Sequence, residues 1–429
     1  MLKDDLERFN EWWFTGEIRR TLAPPFKRYA FDHLRKSLEE RQILLMVGMR
    51  RVGKTTLLYQ LVEKLLEDHR PESILYFSFD EARWNPRDVL EAYERSVLRR
   101  PLEECGRTFV FFDEIQYSTG WPAIIKQFYD LYPNLKFFIS GSSSLLLARE
   151  SLEKLAGRFF HFNLKPLTFP EFLEMKGGRI GDLEASPRRM ESYFLDYLRK
   201  AGFPEIVNWD DERKISEYIR NSVIDRVILR DLPLVLKARD VELSERIIGL
   251  ILSNPGSILN VNSLAANMGR SRITISNYLK HLELSLLVRA LSNFRPSHLA
   301  SSRKLKKYYP ATTSLIYSYS KRIFEEYTGK VLETYVVNAL DAKYYFRKGR
   351  KEINILLLRD GEVVPVEVKE SVNEENLRKF SKLVKGIGGG EGLLISLNQE
   401  MEKEQIRVLP AYLIEQKAWS PSNNNPIYY

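Results

Sequence analysis

The chain has 429 residues, a formal net charge of +9, 44% hydrophobic and 29% charged residues, a balance that excludes disorder and points to two or three globular domains. Cys105 is the single cysteine and the five histidines are scattered, which excludes intramolecular disulfides and thiolate zinc clusters. No apolar run reaches transmembrane length, and Met1-Leu2-Lys3-Asp4-Asp5 places acids where a signal peptide needs positive charge, so a cytoplasmic location without membrane contact is expected. The positive charge fits an acidic partner such as nucleic acid, and equally fits plain solubility.

Gln42 to Val47 reads as a buried strand running into Gly48-Met49-Arg50-Arg51-Val52-Gly53-Lys54-Thr55-Thr56, the pattern GxxxxGK(S/T). Glycines at both ends let such a loop wrap phosphates with successive backbone N–H groups and with the positive end of the following helix. Lys54 is expected on the β and γ phosphates and Thr55 on Mg²⁺, while Leu57, Leu58, Leu61, Val62 and Leu65 supply the apolar face of the helix. Further strands are expected at Ile74 to Phe79, at Phe109 to Phe112, at Leu135 to Ile139 and at Phe159 to Leu164. Alternation with helical segments predicts a parallel α/β sheet. The second of these ends in Asp113-Glu114, where Asp113 suits the Mg²⁺ shell beside Thr55 and Glu114 suits activation of a water. After Ile139 comes Ser140-Gly141-Ser142-Ser143-Ser144; its hydroxyls either sense a γ-phosphate or serve only as turn and cap residues. Arg158 precedes the last strand as an exposed corner residue.

These strings resemble the AAA+ ATPase superfamily, and in particular a prokaryotic, largely archaeal group in which the ATPase is fused to a nuclease-like C-terminal region. Pro166-Leu167-Thr168-Phe169-Pro170-Glu171-Phe172 resembles the family's linker, and Ala201-Gly202-Phe203-Pro204-Glu205 its helical lid. The resemblance implies ATP and Mg²⁺ as ligands and a homo-oligomeric ring, hexameric in many such proteins. It implies sensor 1 at Ser140 or Ser142, an arginine finger at Arg158 acting on a neighbouring subunit, and Gly202 and Pro204 near the adenine. Trp12-Trp13 and Pro24-Pro25-Phe26-Lys27-Arg28 resemble the segment that precedes the phosphate loop, for which packing is the simpler role.

Farther along, Ser263 to Gly269, a turn, and Ser271 to Leu284 form a helix-turn-helix pattern with Leu264, Ile275, Leu279 and Leu282 inside. That pattern leaves Arg270, Arg272, Thr274, Asn277 and Lys280 to face phosphates and base edges, and Leu286 to Leu291 to begin a wing. Winged helices also dock proteins, so both partners stay open. A basic aromatic segment, Arg303 to Tyr309, leads to a helical pattern carrying Glu333, then to strands with Glu352-Ile353-Asn354 and, after an Asp360-Gly361 turn, Glu367-Val368-Lys369. This resembles the PD-(D/E)xK nuclease fold, in which such acids converge on a metal. Asn354 stands where that family has an aspartate, Glu352 is expected on the opposite face, and Lys343, Arg347, Lys348, Arg350 and Lys351 offer phosphate contacts or a plain solvated face.

The sequence therefore predicts an α/β fold: an AAA+ phosphate-loop core (1–170), a helical lid (171–240), a winged helix (241–300), an α+β restriction-endonuclease-like domain (301–417) and a tail (418–429). The expected function is ATP hydrolysis coupled to work on nucleic acid, DNA favoured, with nuclease activity lost. The rivals are a scaffold ATPase whose C-terminal region binds protein, and an ATP-controlled nuclease.

Overall fold

The computed structural model describes residues 2–80, 84–142, 155–183, 186–235, 240–295, 305–359 and 361–417. Ser143, Ser144, Arg303, Lys304, Asp360 and the tail expected at 418–429 lie outside them. The chain divides after Lys165 into two compact units. Among the described residues no helix is long and apolar enough to cross a membrane.

In the first unit, β1 (Ile43–Gly48), β2 (Ile74–Ser78), β3 (Thr108–Asp113), β4 (Leu135–Ser142) and β5 (Phe159–Leu164) form one sheet in the order β2-β3-β4-β1-β5. Every pairing is parallel. β1, β3 and β4 are buried at each position, as parallel strands shielded on both faces are, which is why they read as unbroken apolar runs. The helix α1 (Lys54–Leu66) starts directly after Gly53 and buries Leu57, Leu58, Leu61, Val62 and Leu65, the stripe its spacing predicts. The helix α2 (Trp121–Leu131) buries Trp121, Ile125 and Phe128 between β3 and β4 in the chain.

The N-terminal segment closes the β2 edge. Asn10 exchanges hydrogen bonds with the backbone of Tyr76, its Nδ2 donating to the carbonyl at 2.8 Å and its Oδ1 accepting from the N–H at 2.6 Å. The indole N–H groups of Trp12 and Trp13 both donate to the Ile74 carbonyl, at 3.1 and 2.9 Å. Side chains thus occupy backbone groups that would otherwise invite another strand.

The second unit opens with α3 (Phe169–Met175), started by a capping box in which the Thr168 side chain accepts from the Glu171 N–H and Glu171 accepts from the Thr168 N–H. It continues through α4 (Pro187–Lys200), α5 (Val241–Ser253), β6 (Ser257–Asn260), α6 (Val261–Met268), α7 (Arg272–Leu284), β7 (Val288–Asn293) and β8 (Leu305–Pro310). Then come α8 (Thr328–Ala339), β9 (Tyr344–Lys348), β10 (Lys351–Arg359), β11 (Glu362–Val368), α9 (Glu374–Gly386), β12 (Gly392–Ser396), β13 (Met401–Lys403) and β14 (Ile406–Pro410). The nine strands make a single sheet, ordered β13-β14-β12-β11-β10-β9-β7-β8-β6.

That sheet crosses the boundary expected at residue 300, because β8 pairs antiparallel with both β6 and β7 and β7 pairs parallel with β9. The segment expected as a separate lid is tied in as well. Thr312 and Ser314 donate to the Ala201 carbonyl at 2.8 and 2.7 Å, and Thr313 donates to Leu198 at 2.6 Å. Three expected domains accordingly share one compact unit.

Candidate functional site

The phosphate loop spans the end of β1 and the start of α1. Gly48 pairs with Ser142 of β4 on one side and Leu164 of β5 on the other, and a Cβ there would stand 2.8 Å from the Leu164 carbonyl oxygen. Gly53 has φ 100°, a left-handed conformation that glycine adopts without strain. Lys54 is buried, its Nζ donating to the carbonyls of Gly48 and Met49 at 3.1 and 3.0 Å. Met49 and Val52 are buried, Thr56 follows Thr55 in the first turn of α1, Arg51 has φ 65°, and Arg50 donates to the Tyr117 hydroxyl. Arg28, read in the sequence only as packing, is buried and donates to the Val52 and Lys165 carbonyls at 2.9 and 3.1 Å. It pins the loop from behind, a role without any local motif to reveal it.

Asp113 is the centre of the site. One oxygen, Oδ2, accepts from Thr55 Oγ1 at 2.6 Å and from the Tyr76 hydroxyl at 3.0 Å; the other, Oδ1, accepts from Ser140 Oγ and from the Glu114 N–H. Burial, with Glu114 beside it, pushes this carboxyl above the usual carboxylate range, against the pull of the Ser140 and Thr55 hydrogen bonds and the Lys54 charge. Tyr76 is buried on β2 and stacks on Tyr59 of α1 with ring centroids 4.4 Å apart. It went unnoticed because an aromatic in an apolar strand looks like core. Glu114 follows with φ 51° and accepts from Gln116 Nε2.

Arg158 stands at the opening of β5, its carbonyl accepting from the Ile43 N–H. It is therefore at the opposite end of β1 from Gly48, roughly 18 Å along the strand by the usual rise per residue. Its guanidinium forks onto Asp130 of α2, Nε to Oδ1 at 2.7 Å and NH2 to Oδ2 at 3.1 Å. This residue belongs to no phosphate site of its own chain.

Residues 40–173 match the family model described as an AAA domain. This stretch is similar to an AAA domain. Residues 191–323 match a domain of unknown function. An uncharacterized protein of Methanocaldococcus jannaschii is 27% identical over 81% of this chain and 79% of its own length. A second from that organism is 29% identical over 60% of this chain, and one from Haemophilus influenzae is 26% identical over 57%. The chain spans 59% and 61% of the length of these last two. Among solved structures, Orc1 of Aeropyrum pernix in complex with DNA is 13% identical, covering 72% of this chain and 96% of that one, with a TM-score of 0.33. Cdc6p of Pyrobaculum aerophilum is 14% identical, covering 72% and 98%, with a TM-score of 0.31. Both likenesses are too distant to carry a functional argument. The likeness to an AAA domain implies nucleotide binding.

Gly202 and Pro204, expected near the adenine, belong to the second unit. There Gly202 bridges Leu167, and a Cβ on it would lie 3.2 Å from Pro166 and 3.6 Å from Thr312.

In α6 and α7 the expected core residues Leu264, Ile275, Leu279 and Leu282 are buried, and Arg272, Asn277 and Lys280 are exposed. Arg270, expected to face phosphates, forms an ion pair at the surface. Its Nε and NH2 donate to Asp240 Oδ2 at 3.0 and 2.8 Å, and Asp240 in turn caps α5. Thr274 likewise pairs with the cap residue Ser271.

The C-terminal acids meet only in part. Glu367 Oε2 accepts from the Asn354 N–H at 3.3 Å, Asn354 Oδ1 accepts from the Val368 N–H at 3.2 Å, and Lys369 lies 3.0 Å from Glu367. Burial raises the Glu367 carboxyl, with Lys369 opposing and Glu333 adding to the rise. Asn354 thus stitches β10 to β11, where a nuclease would present a metal-binding carboxylate. Glu333 is buried on α8 and accepts from the Tyr309 hydroxyl at 2.6 Å. Glu352, expected on the opposite face, shares the ammonium of Lys307 with Glu333, Lys307 bridging Glu352 at 2.7 Å and Glu333 at 3.9 Å. Glu352 and Asn354 are partly exposed beside buried Ile353 and Ile355. Lys343, Arg347, Lys348, Arg350 and Lys351 are exposed, the last four at the tip of the β9–β10 hairpin.

Proposed function

We propose that the AAA domain binds ATP with Mg²⁺ and hydrolyses it, and that hydrolysis drives work on nucleic acid held by the second unit. The observation that carries the first half is the convergence of Thr55, Ser140 and Tyr76 on Asp113 with Glu114 next in the chain. Thr55 Oγ1 and Asp113 Oδ2 are hard oxygen donors 2.6 Å apart, a pair that fits Mg²⁺ or its water shell. Thr55 and Asp113 would hold Mg²⁺ there, and the ion would supply charge neutralisation for the β and γ phosphates. Lys54 brings its ammonium to the same oxygens, and the loop N–H groups with the α1 N-terminus orient them. Glu114 takes a proton from water as the water oxygen bonds to the γ-phosphorus and the bond to the bridging oxygen breaks, leaving ADP and phosphate.

The position of Arg158 supports an oligomer, a ring being the arrangement in which this corner reaches a neighbour's γ-phosphate. DNA is favoured as the partner on the reading of α6, α7 and the β6–β8–β7 strands as a winged helix, a reading supported by the antiparallel pairing of β8 with β6 and β7 and by exposed Arg272, Asn277 and Lys280. The β9–β10 tip adds unburied Lys348 and Arg350. The restriction-endonuclease-like reading of α8 to β11 includes Asn354 in place of an acid, which supports binding without cleavage. A protein-docking reading draws on Ile273, 73% exposed in the first turn of α7.

Turnover measured with no DNA and with single-stranded, duplex and branched DNA separates the two partners; only the nucleic-acid reading expects stimulation. In the same assay Lys54→Ala should lose nucleotide binding. Glu114→Gln should bind ATP and lose turnover, because the amide keeps the shape without the basic oxygen. Wild-type turnover in Glu114→Gln removes Glu114 from the mechanism.

A further inference from the structure

We propose that Gln116 is a positioning residue that hangs the Glu114 carboxylate from Ser142 and thereby sets the rate of hydrolysis without contributing to nucleotide affinity. The inference rests on the hydrolysis reading above and deepens it.

Glu114 leaves β3 in a left-handed conformation, φ 51°, which a residue with a side chain adopts only where its surroundings hold it. The turn that follows, Ile115–Tyr117, closes with the Tyr117 N–H donating to the Glu114 carbonyl at 3.2 Å, and it brings the Gln116 side chain back over residue 114. Gln116 Nε2 then donates to Glu114 Oε2 and to Ser142 Oγ, the latter at 3.2 Å. An amide NH₂ carries two hydrogens, one for each acceptor, and a carboxylate accepts only, so the amide must face Glu114 with its nitrogen. Its own oxygen, Oε1, is buried without a hydrogen-bond partner. An apolar side chain of the same length would avoid that cost, so packing alone does not account for a glutamine here.

The anchor matters because of where it stands. Ser142 pairs in register with Gly48, the first residue of the phosphate loop. Ser140, two residues earlier on the same face of β4, donates to Asp113. The two serines therefore divide the two acids between them. Ser140 holds the metal acid directly; Ser142 holds the proton-accepting acid through Gln116. The bridge engages Oε2 of Glu114 and so fixes the direction in which the rest of the carboxylate meets a water. Without it the group turns about its side-chain torsions and spends less time in reacting geometry, a loss that falls on the chemical step.

The test uses full-length protein with MgATP, measuring kcat and KM, and the affinity for a fluorescent ATP analogue. Gln116→Met, equal in length and lacking the amide, should lower kcat by roughly 10- to 100-fold, the span of a misplaced general base, with analogue affinity within about threefold of wild type. Gln116→Ala should behave alike. Ser142→Ala should lower kcat less, and adding it to Gln116→Met should change nothing more, because Ser142 acts through Gln116. Wild-type turnover in Gln116→Met, or full additivity of the two substitutions, overturns the bridge. No turnover in the wild-type protein overturns instead the hydrolysis reading on which it stands.

Discussion

The ammonium group of Lys307, only 4% exposed, lies 2.7 Å from a carboxylate oxygen of Glu352. With Glu333 3.9 Å away, this lysine puts a resident cation between two acids of the second unit. Lys307→Ala leaves both acids without that cation, and breaking a buried pair from one side costs about 3–5 kcal/mol. Glu352 is more than a third exposed and keeps Arg347 at 3.6 Å, and Glu333 keeps Lys330 at 3.3 Å, so about 1–2 kcal/mol is expected here. A urea midpoint equal to that of wild type would show that Lys307 is no counter-ion.

Arg158 is expected to act on a neighbour's nucleotide, since within its own chain it sits at the far end of β1 and pairs with Asp130. Arg158→Ala and Glu114→Gln should each be inactive alone, and their mixture should regain activity through hybrid interfaces. Asp130→Ala should keep activity, because it removes only an exposed ion-pair partner. Failure of the mixture despite measured subunit exchange rules the finger out.

DNA held by the second unit should dissociate steeply with salt, as phosphate contacts release counterions. Charge reversal of Lys348 and Arg350 should weaken binding and flatten the salt slope by about 2, one per lost contact. Glu367→Ala should bind as wild type does, since Glu367 is held within the fold by Lys369 and the Asn354 N–H. Cleavage in Mg²⁺ or Mn²⁺ that stops in Glu367→Ala would establish the nuclease rival instead.

A pH effect on stability is expected from Lys136, buried in β4 with its Nζ donating to the Gln42 carbonyl at 2.5 Å. Burial lowers this lysine from 10.5 to about 8. Folding therefore releases a proton between those values, and the wild type should gain stability as pH rises from about 8 toward 10.5. Below pH 8 the full cost is present, on the order of 3 kcal/mol at 1.36 kcal/mol per pKa unit. Lys136→Met should be the more stable protein at pH 7, with the gap narrowing toward pH 10. A gap independent of pH would mean that Lys136 stays charged in the fold.

What the sequence by itself determined is what short spacing controls. Gly48 to Thr56 is a contiguous loop whose chemistry is written in its order, and the buried runs of β1, β3 and β4 declare parallel strands because both faces need apolar cover. Asp113 and Glu114 were legible because a strand ending in two acids has few other uses beside such a loop.

Only the tertiary structure chose partners. The strand order β2-β3-β4-β1-β5 brings Tyr76, Asp113 and Ser140 together from three strands, and it assigns Ser140 to Asp113 and Ser142 to Gln116. Arg28 reaches Lys165 across 137 residues, and Lys307 lies between acids from α8 and β10. Arg270 pairs with Asp240, 30 positions away. Periodicity fixes the face on which a side chain stands. The group opposite it is set by strand order, register and helix packing, and these depend on burying the whole chain at once.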